Sequence, residues 1–266
     1  METIFGFIGT GNMGGILARA ACKRIPSDQI FLANRTMEKA KALAEELDCR
    51  VADNDAVAAN ADFIFLGVKP QMMAGMLADI APILEERESR FILVTMAAGL
   101  PISRIQEMAG GKYPVIRIMP NTPSAIGEGM ILYTLGDGIT KTEEKLFLDA
   151  MGAAGRLAQL PEHLMDVGSA VMGCGVAYAG LFLEAMADGA VACGLPRAQA
   201  YEFAAQMMAG TGKLALEGQH PAIMKDVCCS PAGTTIQGIR ALENGGFRGA
   251  VMEAVIAAYE RTLELK

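Results

Sequence analysis

The chain has 266 residues, enough at roughly 150 per domain for one large or two modest domains, each able to bury a core. Its 23 Lys and Arg against 30 Asp and Glu leave a net charge of −7. That is the wrong sign of field for a phosphate backbone, which argues against a nucleic-acid partner. Apolar residues make up 52% of the chain and charged ones 20%, too apolar for a disordered protein and rich enough to require buried helices or a large subunit interface.

Met1-Glu2-Thr3-Ile4-Phe5 opens directly into a strand, with no basic segment leading to an apolar run and cleavage site, so a cytoplasmic location is expected. Thr3 to Ile8, Ile30 to Ala33, Phe63 to Val68, Phe91 to Met96 and Val115 to Met119 read as strands. Each is apolar along most of its length, Arg117 being the one charge among them, as strands covered on both faces are. Between them Asn12 to Arg24, Thr36 to Leu47, Gln71 to Leu84 and Ser103 to Met108 carry helical spacing, and this βαβ alternation predicts a doubly wound, mostly parallel α/β sheet over residues 1–160.

After Leu160-Pro161 the strand signals stop. His163 to Cys193, Arg197 to Glu217, Thr234 to Glu243 and Phe247 to Leu265 predict an all-α domain over 161–266, punctuated by Gly194-Leu195-Pro196, Gly218-Gln219-His220-Pro221 and Asn244-Gly245-Gly246. The uncharged run Val167 to Leu183 is 17 residues long and holds four glycines, short of the roughly 20 apolar residues of a membrane span. It is expected to be a buried helix, with a second subunit as part of its cover. No membrane partner is expected. Cys22, Cys49, Cys174, Cys193, Cys228 and Cys229 form no CxxC pair, and with only His163 and His220 beside them no metal site is expected. Free, mostly buried thiols suit a reducing compartment.

Gly9-Thr10-Gly11-Asn12-Met13-Gly14 follows Phe7-Ile8 and opens a helix, which is the setting of a dinucleotide fingerprint. Gly9 permits the turn, Gly11 lets the pyrophosphate approach, Gly14 lets the helix pack on the strand, and the helix start offers free N–H groups to the anion. The first domain is thus expected to be of Rossmann type. About 20 residues beyond the fingerprint, where an acid would hold an NAD ribose, stands Asn34-Arg35-Thr36. Arg35 can clamp a 2′-phosphate, with Asn34 and Thr36 donating hydrogen bonds, so NADP(H) is expected, with NADH possible at lower preference. Thr36 can also cap the next helix. Gly67-Val68-Lys69-Pro70 and Met96-Ala97-Ala98-Gly99 close two strands at the carboxyl edge of the sheet, where the nicotinamide ribose belongs or where ordinary turn chemistry explains them equally well.

A second constellation, Ser230-Pro231-Ala232-Gly233-Thr234-Thr235, places hydroxyls and the N–H groups of Gly233, Thr234 and Thr235 at a helix start. It reads either as an ordinary capped start or as a seat for a small carboxylate without a basic side chain.

Together these segments resemble the pyrroline-5-carboxylate reductase family from end to end. The resemblance runs through Phe7 to Gly14, Gly67 to Gln71, Arg117-Ile118-Met119-Pro120-Asn121-Thr122-Pro123, Asp188-Gly189 with Gly194 to Arg197, and His220-Pro221 through Lys225-Asp226 and Ser230-Pro231 to Gly245-Gly246-Phe247-Arg248. SPxGTT followed by LExGGFR is the most specific part. The resemblance implies reduction of a cyclic imine to L-proline by NADPH in a homodimer joined through the C-terminal helices, with dimers gathering into a decamer. It implies cofactor contacts from Ile8, Gly9, Thr10, Gly11, Asn12, Met13, Gly14, Asn34, Arg35, Thr36, Asn54, Val68, Lys69, Pro70, Ala97 and Ala98. Gly233, Thr234 and Thr235 would bind substrate, with Ser230 supporting the loop, Thr235 meeting the ring nitrogen and Glu162 bordering the pocket. The chain departs from the family's GSGPAY at Gly173-Cys174-Gly175-Val176-Ala177-Tyr178, from its glycine at Ala232, and from its usual polar residue at Val227.

Two alternatives bear on other classes. A β-hydroxyacid dehydrogenase would carry GxxGxGxxxK, but the position of its lysine is Ala179, so the proton acceptor is missing. A catalytically silent NADPH sensor would use the adjacent Cys228-Cys229 as its switch, which adjacent residues can close only with strain.

Overall fold

The computed structural model describes residues 3–264. Met1, Glu2 and the expected helix end at Leu265 lie outside the described residues. The chain divides into two compact units, one running to Gly173 and including the stretch from Tyr259, the other Cys174–Ala258.

The first unit is built on one eight-stranded sheet of order β3-β2-β1-β4-β5-β6-β7-β8. The strands are β1 (Phe5–Ile8), β2 (Ile30–Ala33), β3 (Arg50–Val51), β4 (Phe63–Leu66), β5 (Ile92–Thr95), β6 (Val115–Met119), β7 (Gly129–Leu135) and β8 (Gly155–Gln159). The first six are parallel, β7 runs antiparallel to β6, and β8 runs parallel to β7. β1, β4, β5 and β6 are buried along their whole length, as their largely apolar runs require, with Arg117 on β6 and Thr95 on β5 the polar residues among them. Alternate side chains go to opposite faces. Phe5, Phe7, Phe63, Phe65, Ile92 and Val94 enter one core cluster, where Phe5 stacks on Phe63 at 4.9 Å and Phe7 on Phe65 at 4.4 Å; Ile8, Ile64, Leu66 and Leu93 enter the other.

The covering helices are α1 (Asn12–Ala21), α2 (Met37–Leu47), α3 (Asn54–Asn60), α4 (Pro70–Glu86), α5 (Ile102–Met108), α6 (Lys141–Met151) and α7 (Met165–Met172). The expected Asn12 to Arg24 helix stops at Ala21. The single helix expected over His163 to Cys193 is instead a 3-10 turn at Glu162–Leu164, then α7, then a break at Gly173-Cys174 before α8 (Gly175–Ala192). β3, β7, β8, α3 and α6 are absent from the sequence expectations. β8 carries Arg156 and Gln159 and has no buried residue, so it lacks the apolar run that marks a covered strand.

α7 is tied to the sheet by polar contacts inside the first unit. Arg117 on β6 is fully buried and its Nη2 donates to Asp166 Oδ1 at 2.6 Å, while its Nη1 lies 3.6 Å from Glu162 Oε1. Asn121 Nδ2 donates to Met172 O at 3.0 Å, and its Oδ1 accepts from Met130 N at 2.9 Å.

In the second unit α8 is followed by α9 (Arg197–Leu216), α10 (Pro221–Cys228), α11 (Thr234–Asn244) and α12 (Phe247–Leu263). α10 was not expected, although His220-Pro221 opens it with Pro in the first turn and the His220 ring accepting from Ala222 N. Tyr178 OH donates to Ala254 O at 3.0 Å, joining α8 to α12. The expected burial of Val167 to Leu183 is not met within the chain: the most apolar 18-residue window of Glu162–Ala192 has a mean hydropathy of 1.6, apolar enough by length and composition to cross a membrane, and only 11% of that window is buried. Nor are the thiols mostly buried. Cys174, Cys193 and Cys228 are exposed and the other three half-buried.

Removing one partner of a buried ion pair leaves a charge without compensation. Asp166→Ala is therefore expected to lower unfolding stability by about 3–5 kcal/mol, and Arg117→Leu with Asp166→Leu by less; urea denaturation of both variants measures the difference.

Candidate active site

The sheet order reverses between β1 and β4, since β1 connects to β2 on one side and has β4 on the other. Ligands of such sheets bind in the crevice beyond the carboxyl ends at this switch point. Gly9 leaves β1 with φ 95°, a backbone state that side chains disfavour, and its N–H donates to Ala33 O at 2.8 Å. A Cβ on Gly14 would lie 2.0 Å from Gly9 O, and one on Gly67 would lie 2.3 Å from the same atom. Three segments therefore meet at backbone contact. Gly11, in contrast, caps α1 without a side-chain hydrogen bond, and a Cβ there would meet nothing within 4 Å. The space above it is open to a ligand.

Asn34 braces the two loops. Its Oδ1 accepts from Thr10 N at 3.2 Å and its Nδ2 donates to Thr36 O at 3.0 Å. Thr36 is the N-cap of α2, yet its side chain makes no capping bond, leaving the hydroxyl and the helix start for another acceptor.

A cleft of about 630 Å³ runs over these loops. It brings together Ile8, Gly9, Gly11, Asn34, Arg35, Thr36, Asn54, Val68 and Lys69 of the expected set. Thr10 and Asn12 line a smaller adjoining depression of about 360 Å³. Met13, Gly14, Pro70, Ala97 and Ala98 line neither. Gly14 lies beneath Gly9, Ala97 is buried in the core, and Ala98 packs beside Met119, Leu132 and Met165.

The sequence reading missed Lys39, Gln71, Met72, Gly75, Met76 and Asp79, which also line the cleft. Lys39 borders both depressions. It stands in the first turn of α2, just past the Asn34-Arg35-Thr36 loop, and that position was the available signal. Arg35 Nη1 reaches to 4.0 Å from Met72 Sδ on α4. Two cations thus stand where the second strand ends, and no acid lies between Asn34 and Thr36. The buried Thr10 Oγ1 has no hydrogen-bond partner.

The second constellation lies in the helical unit. Ala232 has φ 58°, the left-handed state that the family's glycine would adopt freely. Gly233 caps α11, and a Cβ there would lie 2.3 Å from Ser230 Oγ. The expected free N–H of Gly233 is a correction: it donates to Ser230 O at 3.0 Å, because the bend folds back on Ser230. α11 has no side-chain cap, so the opening N–H groups from Thr234 onward lack that partner. Thr234 and Thr235 are exposed. Glu162 is committed as well, with Oε1 accepting from Ile102 N at 2.7 Å to cap α5.

This fold and cleft define a dinucleotide-binding Rossmann protein of the oxidoreductase class. Residues 4–99 match the family described as NADP oxidoreductase, coenzyme F420-dependent, and residues 162–265 match pyrroline-5-carboxylate reductase dimerisation. The pyrroline-5-carboxylate reductase of Escherichia coli (strain K12) is 37% identical over 269 residues, covering 100% of this chain and 99% of that protein. The enzyme of that name from Pisum sativum is 37% identical over 264 residues, covering 98% and 95%. The crystal structure of Plasmodium falciparum pyrroline carboxylate reductase with NADP bound superposes with a TM-score of 0.88 at 30% identity, covering 99% of this chain and 98% of that one. The chain belongs to the pyrroline-5-carboxylate reductase family.

Ala232→Gly is expected to raise stability by about 0.5–1 kcal/mol, since relief of the left-handed alanine exceeds the added freedom of the unfolded chain. The midpoint of denaturant unfolding measures it.

Proposed function

We propose that the chain is an NADPH-dependent pyrroline-5-carboxylate reductase, acting in the last step of proline biosynthesis. The reduced dinucleotide supplies a hydride to C5 of 1-pyrroline-5-carboxylate, giving L-proline. The observation that carries this reading is the α11 start, SPAGTT, left without a side-chain cap in a chain whose full length matches reductases of this name.

The residues fit the dinucleotide. Gly9 and Gly11 with the start of α1 receive the pyrophosphate, Asn54 and Val68 border its path, and Thr10, Asn12, Met13 and Gly14 form and support the turn. Arg35 and Thr36 hold the 2′-phosphate with Lys39 beside them, and Asn34 fixes the loop. Val68, Lys69, Pro70, Ala97 and Ala98 shape the end that takes the nicotinamide. NADH is accepted with lower preference.

A protonated imine is already electrophilic, so the protein's task is orientation. The opening N–H groups at Thr234 and Thr235 hold the carboxylate with the help of the helix dipole. The Thr235 hydroxyl meets the ring nitrogen. Ser230 and Gly233 hold the bend. In this reading 1–160 is the nucleotide domain and 161–266 the dimerisation and substrate domain. The exposed apolar residues of that segment, among them Leu181, Met252 and Ile256 at 67%, 62% and 48% exposure, suit a homodimer through the C-terminal helices. Five such dimers would form a decamer, in the cytoplasm.

On adding pyrroline-5-carboxylate to the purified chain, NADPH absorbance is expected to fall as proline forms; no oxidation in folded protein that binds NADPH refutes the reading. Thr235→Ala is expected to cut turnover by about 10²-fold while NADPH affinity holds. Arg35→Ala is expected to weaken NADPH binding about tenfold and leave NADH unchanged, because only the 2′-phosphate loses a charge-assisted bond; titration of both nucleotides checks it.

A further inference from the structure

Cys228 and Cys229 are neighbours in the chain, but the thiols that the fold brings together are Cys22 and Cys49. Cys22 caps the C-terminal end of α1 and Cys49 follows the end of α2, and their sulfurs lie 3.2 Å apart. A disulfide bond measures about 2.05 Å, so closure needs about an ångström of approach. The backbones on both sides are anchored. Cys22 N–H donates to Ala18 O at 3.0 Å and Cys49 N–H to Ala44 O at 3.0 Å, so neither thiol sits on a loose loop. One turn earlier the same helices are joined by Arg19 and Glu46 at 2.6 Å.

The pair is also chemically asymmetric. The Cys49 thiol hydrogen-bonded to the Cys22 sulfur holds Cys22 below the usual thiol range, whereas that bond and burial push Cys49 upward. Both side chains are half-buried, within reach of a small oxidant. Lys23 and Arg24 follow Cys22, and Arg50 follows Cys49, with Asp48 the one acid among these chain neighbours. A lowered thiol with partial exposure is the setting of a reactive thiolate.

We propose that Cys22 and Cys49 form a reversible redox modification site whose oxidant is a hydroperoxide. The Cys22 thiolate attacks one peroxide oxygen, the O–O bond breaks, hydroxide leaves, and Cys22 becomes a sulfenic acid. Cys49 loses its proton to that hydroxide and attacks the Cys22 sulfur. The S–O bond breaks and the second oxygen leaves as hydroxide, which takes up the proton that Cys22 released on ionising. In sum two thiols and one hydrogen peroxide give one disulfide and two waters, with two electrons passing from sulfur to oxygen; an added dithiol reverses it. The bond ties the far ends of the two helices whose starts, at Gly11 and Thr36, face the dinucleotide cleft. Its effect is to stiffen the nucleotide unit, and it stands apart from the imine chemistry.

The test treats the full chain with hydrogen peroxide, blocks free thiols by alkylation and digests with trypsin. The expected product joins peptide Ala20–Lys23 to Ala42–Arg50, lighter by two hydrogen atoms than the separate pair and released by dithiothreitol. Oxidation is expected to raise the thermal midpoint by roughly 5–10 °C. Cys22→Ser and Cys49→Ser are expected to lose both effects, and in Cys49→Ser the Cys22 sulfenic acid is expected to be captured by dimedone. Recovery of both peptides separately alkylated while Cys174, Cys193 or Cys228 oxidises overturns the proposal, as does passage of Cys22 to sulfinic acid in the unmodified sequence. None of these readouts depends on imine turnover.

Discussion

The nucleotide end of this molecule depends on one carbonyl. Gly9 O is the atom that a Cβ on Gly14 would approach to 2.0 Å and one on Gly67 to 2.3 Å, so the end of β1, the first turn of α1 and the end of β4 touch without side chains between them. Because sheet order reverses between β1 and β4, this contact sits where the crevice opens. A methyl group at either position would push α1 or the Gly67 turn outward and move the start of α1 relative to the cleft. The empty space at Gly11 has meaning only because its neighbours are so tightly closed.

The parallel strands were legible because burial on both faces leaves a continuous apolar run, as in Phe63 to Leu66 and Ile92 to Thr95. β8 was not, since its exposed Arg156 and Gln159 break that run, and the two-residue β3 is too short to carry a period. Arg117 was recognised as part of a motif, but nothing in Val115 to Met119 reveals that its partners, Asp166 and Glu162, come from beyond β8. The same holds at the cleft. Gly9, Gly11, Arg35 and Lys69 follow from the fingerprint and strand ends, whereas Met72, Gly75 and Asp79 line it through the direction of α4, which spacing alone does not supply. Cys22 and Cys49, 27 residues apart, are neighbours only because α1 and α2 end at the same side of the sheet.

The helical segment shows a different kind of legibility. Composition demanded burial, and the chain by itself does not provide it: Val227 is 81% exposed and Leu216 63%. The demand was real but its satisfaction lies outside one chain, in keeping with the dimerisation family matched over 162–265. Apolar surface that would be a liability on a monomer is the expected surface of an obligate partner. The three exposed thiols of this unit belong to the same account, since an accessible cysteine in one chain is not an accessible cysteine in an assembly.

A chain of net charge −7 that handles anions must attract them locally. Its helix starts show how. α3 begins with Asp53 accepting from Ala56 N, and α6 with a reciprocal Thr140 and Glu143 capping box, so both close on themselves. α1, α2 and α4 begin at Gly11, Thr36 and Lys69, which line the cleft, and α11 at Gly233, all with no side-chain cap, as is also true of α7, α8 and α9. An uncapped start forgoes about 1 kcal/mol, a cost that an incoming anion recovers by accepting the same N–H groups. At α1 the glycine keeps any side chain from competing for them. At α2 a threonine capable of capping leaves its hydroxyl free beside Arg35 and Lys39. In the proposed reaction α11 does for a carboxylate what α1 does for a pyrophosphate. It needs no basic side chain there, which would favour any anion over one of the right shape. The left-handed Ala232 fits this logic, since the bend that strains it also turns Ser230 back onto Gly233 and leaves the following N–H groups at the front of the helix.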